Sequence, residues 1–202
     1  MRLATRIPDS ASGLLPQTQA ALDYARTVHR GQLRDVDGAP FVEHPVDVAS
    51  LLYAVAAPDH LIAAGALHDV LEKTPATVFD LRRRFGSMIA SLVLAVSEDE
   101  RIAGYNERKR ALRQKVADAG EEALTLFAAD KVSKTRELRL QPVPLWGRAR
   151  RSRTRRLAHY ERCLVLLQER LPASPLVAQL QAELAGLPNP RRLAHLLRAA
   201  QQ

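Results

Sequence analysis

An all-α domain of about eight to ten helices is the fold class that this 202-residue chain predicts, and three observations predict it. Alanine is abundant while aromatic residues make up only 4% of the sequence. No window shows the sustained apolar–polar alternation of a half-buried strand. Apolar residues recur instead at helical spacing, as Ala21, Tyr24, Ala25 and Val28 do within Thr18 to Arg30. The length suits one domain over residues 1–202, since domains cluster at roughly 100 to 200 residues.

The elements follow in order. After the helix from Thr18 to Arg30 comes the loop GQLRDVDGAP. Pro45 then suits the start of a helix from Val46 to Ala56, and Pro58 plays the same part before Leu61 to Leu71. Thr77 with Asp80 three residues on forms a capping box for a short helix that ends at Phe85, with Gly86 as the residue just past its end. The next helix, Met88 to Val96, is almost wholly apolar, which predicts the hub of the core there. A polar helix from Asn106 to Ala119 is interrupted by Gly120, and another runs from Glu121 to about Leu138. Past the Pro-rich QPVPLWG lie a long basic helix, Arg148 to Arg170, and two short ones near 175–185 and 190–200, so that 172–202 reads as a C-terminal helical extension.

The charge is uneven. Residues 1–100 hold 9 Lys/Arg against 13 Asp/Glu, and residues 101–202 hold 21 against 9. The basic half suits an anionic partner: a phosphorylated small molecule, RNA or DNA, or else simply a solvated face. The N-terminus has no signal-like apolar run, and no stretch approaches the roughly 20 apolar residues that span a bilayer. A lone cysteine, Cys163, makes no internal disulfide and reads as core. These features predict a cytoplasmic protein with no membrane partner.

Four separated residues supply the chemistry: His44 in FVEHP, the pair His68 and Asp69 in GALHDVLE, and Asp130 in FAADKVSK. Two imidazoles with two carboxylates make a divalent-metal ligand set of mixed hardness. Taken singly, each has an ordinary structural explanation, a capping or a satisfied core residue. Together they leave open positions for water and a phosphate oxygen, as a catalytic site requires. Glu72 lies four residues after His68 and three after Asp69, too far along to be a necessary ligand but placed to orient or deprotonate a water.

The stretches ALDYARTVHRGQLR, GAPFVEHPVDVASLL, AAGALHDVLEKT, TVFDLRRRFGSMIASLVLAVS and AADKVSKTREL resemble, in order and spacing, the HD-superfamily phosphohydrolase domain of the RelA/SpoT type. The resemblance covers roughly residues 17–165. It implies a compact helical domain that binds one Mn²⁺ through His44, His68, Asp69 and Asp130 and removes the 3′-pyrophosphate of (p)ppGpp. In it Glu72 matches the acid that activates water, Arg34 a basic residue of the nucleotide pocket, and Arg156 with Tyr160 a substrate-touching pair on the late helix.

The chain departs from that pattern in places. Family members read HDVVEDT where this chain has HDVLEKT, which puts Lys73 in place of an acid. An ammonium there would compete with the ion for Asp69 or hold a substrate phosphate, so Lys73 joins Glu72 among the candidate catalytic residues. Ser133 replaces a usual His or Tyr, Lys134 replaces an Asn that contacts substrate, and Asp35 follows Arg34 where a basic residue is typical. Lys131 and Lys134 are candidate phosphate-binding residues beside Asp130. Two rivals stand against the enzyme: a catalytically silent nucleotide-binding relative, and a nucleic-acid-binding protein built on the run Arg148, Arg150, Arg151, Arg153, Arg155 and Arg156, which lacks interleaved aromatics.

Overall fold

The computed structural model describes residues 7, 15–35, 37–144 and 146–188. Among them run nine helices: α1 (Pro16–Val28), α2 (Glu43–Ala54), α3 (Asp59–Leu67), α4 (Val70–Lys73), α5 (Val78–Val96), α6 (Tyr105–Asp118), α7 (Glu121–Leu140), α8 (Gly147–Arg170) and α9 (Pro175–Ala185). The all-α expectation holds. Leu33 and Pro40 form an isolated antiparallel bridge, which closes the loop between α1 and α2. The helix expected near 190–200 lies outside the described residues.

Local chemistry sets several boundaries. Pro16 opens α1, where its missing N–H costs nothing. Thr77 and Asp80 form the expected capping box at the start of α5. Gly86, at φ 82° and ψ 168°, breaks α5 into two end-to-end segments, a conformation that a side chain would strain.

Two expectations need correction. Met88 to Val96 is not the hub, because Met88 and Leu94 on that segment are exposed. The centre is α3, whose residues Leu61 through Leu67 are all buried and which packs against α1, α2, α5 and α7. Its run of alanines and Gly65 allows that crowding: a Cβ on Gly65 would lie 2.6 Å from Leu52 Cδ1 of α2. Nor does one helix run from Leu61 to Leu71. It stops at Leu67, His68 and Asp69 form a turn, and α4 follows. His68 accounts for the stop, since its Nδ1 lies 2.8 Å from the Gly65 carbonyl and satisfies a last-turn acceptor with a side chain.

Candidate metal centre

Three parts of the fold bring the four residues together. His44 sits in the first turn of α2, His68 and Asp69 in the turn between α3 and α4, and Asp130 in the middle of α7. The packing of α2 and α7 on α3 makes them neighbours. All four are nearly fully buried.

The imidazole Nε2 atoms of His44 and His68 face each other at 3.1 Å. Asp130 Oδ1 lies 3.3 Å from the first and 3.5 Å from the second. Asp69 closes the ring, with Oδ2 3.5 Å from His44 Nε2 and Oδ1 3.4 Å from His68 Nε2. Donors bound at about 2.0–2.2 Å to one ion stand about 2.8–3.6 Å apart when they subtend right to tetrahedral angles. The separations among His44, His68 and Asp130 fall in that range, and these three group tightly enough to hold a divalent ion, with Asp69 beside both imidazoles.

The far side of each ring supports the same reading. His68 Nδ1 is engaged by the Gly65 carbonyl, and His44 Nδ1 lies 3.0 Å from both Ser133 Oγ and Glu137 Oε1. A proton on each Nδ1 leaves each Nε2 lone pair pointing inward, the arrangement that a metal-binding histidine needs. With no ion, burial alone would depress His44, but the Asp130 and Glu137 carboxylates hold a second proton on it and raise it to about 9. Burial works against ionised Asp130 as well; Lys131 and Lys134 outweigh it and keep this carboxyl well below its usual range.

Glu72 accepts a hydrogen bond from the Glu98 N–H at 2.7 Å, which fixes its carboxylate by one oxygen. Lys134 Nζ lies 3.0 Å from Asp130 Oδ1 and 3.5 Å from Asp69 Oδ1. Lys131 is buried, paired with Asp130 Oδ2, and its ammonium stands 4.3 Å from the centre of the Phe127 ring. Lys73 is exposed, and its backbone carbonyl accepts from Gln32 Nε2. The cation beside Asp69 is therefore Lys134. Arg34 pairs with Asp37 at 2.6 Å and Glu43 at 3.2 Å and reaches Glu137 at 3.7 Å, so it joins the rim to the residue behind His44. Arg156 donates to Gln141 Oε1 at 2.8 Å. Tyr160 is buried, which pushes its phenol up, and the charges of Lys134 and Asp130 act on it across the site.

Glu137 escaped the sequence reading. Its signal was there: it lies seven residues after Asp130, two turns along the same helix face. Ser133 and Lys134, three and four residues on, share that face.

A histidine–aspartate cluster lining the interior of an all-helical domain defines the HD class of fold and site. The chain belongs to the HD domain family, which it matches over residues 21–132, and within it to the RelA/SpoT type. It is 32% identical over 133 residues to the guanosine-3′,5′-bis(diphosphate) 3′-pyrophosphohydrolase MESH1 of Drosophila melanogaster, covering 64% of this chain and 74% of that protein. Over 87 residues it is 39% identical to the bifunctional (p)ppGpp synthase/hydrolase SpoT of Escherichia coli K12, covering 43% of this chain. The chain spans only 12% of that SpoT's length. A solved structure described as a metazoan ortholog of SpoT that hydrolyzes ppGpp superposes with a TM-score of 0.72 at 27% identity, covering 83% of this chain and 93% of the other.

Proposed function

We propose that this protein is a Mn²⁺-dependent pyrophosphohydrolase that removes the 3′-pyrophosphate of (p)ppGpp or a related alarmone, acting as one unit over residues 1–202 in the cytoplasm. The observation that carries the reading is the convergence of two inward-facing imidazole nitrogens and two carboxylates at 3.1–3.5 Å. Its relatives are named for that reaction, and no described helix is long and apolar enough to cross a membrane.

His44, His68, Asp69 and Asp130 hold the ion. Bound there, a divalent ion makes water acidic enough to supply hydroxide near neutral pH and polarises a phosphoryl oxygen. Glu72, anchored by the Glu98 amide, orients the attacking water and takes its proton. The water oxygen bonds to the phosphorus attached to O3′, the P–O3′ bond breaks, O3′ takes up a proton and pyrophosphate leaves. Lys131, Lys134 and Arg34 offer positive charge to the phosphates, Lys73 one more cation at the exposed edge, and Arg156 with Tyr160 a cation and a ring to the nucleoside.

A silent nucleotide-binding relative is the second reading, favoured by the Lys134 ammonium that lies on two of the ligand carboxylates. Purified protein given Mn²⁺ and ppGpp separates the two. The enzyme releases pyrophosphate, and Glu72→Gln lowers turnover by about 10²–10⁴-fold while the metal stays bound. Bound metal with no product from ppGpp, pppGpp or ppApp establishes the silent relative instead.

A further inference from the structure

Lys134 stands where a cation is least expected. Its Nζ lies 3.0 Å from Asp130 Oδ1, the same oxygen that lies 3.3 and 3.5 Å from the two imidazole Nε2 atoms, and 3.5 Å from Asp69 Oδ1. It thus shares both carboxylates that a divalent ion would take. Lys131 already holds the other oxygen of Asp130. Two ammonium groups therefore stand on the two carboxylates before any ion arrives, and a doubly charged ion entering beside them meets repulsion at close range.

The two lysines are not equally free to yield. Lys131 is buried, with its ammonium against the Phe127 ring. The Lys134 side chain is 31% exposed, one helical turn after Asp130 on α7, on a flexible stem.

We infer that Lys134 is an internal counter-cation of the metal centre: it neutralises Asp69 and Asp130 when no ion is bound, competes with the ion for them, and swings outward when the ion binds. The inference rests on the metal-binding part of the reading above and is independent of turnover. Once displaced, the ammonium is freed toward the open side of the site, where an anionic group of the substrate would meet it. A protein built this way binds its ion more weakly than the four ligands alone would.

Metal titration of the full chain by calorimetry tests this. Lys134→Gln is expected to tighten Mn²⁺ binding by about 10- to 100-fold, the range over which groups beside metal ligands typically act. Lys134→Arg, which keeps the charge, stays within a few-fold of the parent. Folding of each variant is checked by its thermal melt. A second measurement follows the parent protein: reductive methylation of Lys134, read by peptide mass spectrometry against buried Lys131, should rise several-fold on adding saturating Mn²⁺. Equal affinities in the parent and Lys134→Gln, or reactivity that metal leaves unchanged, overturn the counter-cation role while the metal centre stands. Absence of Mn²⁺ binding in parent and variant alike overturns both.

Discussion

His44 is oriented through its Nδ1, the ring nitrogen away from the ligand cluster. Ser133 Oγ and Glu137 Oε1 both lie 3.0 Å from its Nδ1, and Arg34 reaches the same Glu137 oxygen at 3.7 Å. Replacing the carboxylate with a neutral amide weakens the acceptor behind Nδ1 and makes the inward nitrogen a poorer donor. Glu137→Gln should therefore weaken divalent-metal binding by about 10- to 100-fold. Equilibrium titration checks it, with an unchanged melting curve of the metal-free protein showing that the fold is intact. That His44, His68, Asp69 and Asp130 would meet was legible in the sequence because each stands in a local context with its own signature. Glu137 was not, because its meaning depends on α2 docking against α7, a contact between residues far apart in the chain. Lys73 and Lys134 show the same limit. Helical spacing pointed to Lys73 as the neighbour of Asp69, but the turn at His68 and Asp69 leaves Lys73 exposed and Lys134 beside that carboxylate.

Helix boundaries were read closely wherever a cap or breaker fixes them. Thr77 with Asp80 and the Gly86 break in α5 are local events, and they appear where the sequence placed them. The end of α3 is different in kind, since a side chain needed for the site takes the Gly65 carbonyl and interrupts an otherwise favourable apolar run. The hub of the core was also misplaced, because composition cannot distinguish a helix buried on all sides from one, like the second part of α5, that leaves Met88 and Leu94 in water. At this scale the capping box gives a clean expectation. Thr77→Ala removes the acceptor for the Asp80 N–H and the partner of its carboxylate, and should cost about 1 kcal/mol of unfolding free energy by urea denaturation. Metal affinity should not change, because Thr77 touches none of the ligands.

Over the whole molecule, charge and burial set the response to acid. His159 on α8 is 2% exposed. Burial, together with the positive Lys131, Lys109 and Arg113, pushes its imidazole down to about 2, and Arg113 donates to its Nδ1 at 3.0 Å, which requires the neutral ring. The unfolded chain protonates this group near 6.5, so below that pH the unfolded state binds the extra proton. The stability tied to a neutral His159 is complete above about pH 6.5 and is lost as pH falls, at up to about 1.4 kcal/mol per pH unit. In denaturant titrations from pH 7 to 4.5, His159→Gln should flatten the acid slope by that amount. The arginine run on the same helix divides its work: Arg153 is buried and donates to the Leu138 carbonyl, Arg155 stands over Tyr105, and Arg148, Arg150, Arg151, Thr154 and Arg155 line an open hollow.

The four ligand candidates come from α2, the turn after α3, and α7, with 85 residues between His44 and Asp130. A growing polypeptide that has exposed the first three still lacks the fourth, together with the glutamate and serine that set His44 at its correct angle. During synthesis the centre stays incomplete until α7 has emerged and docked on α2 and α3.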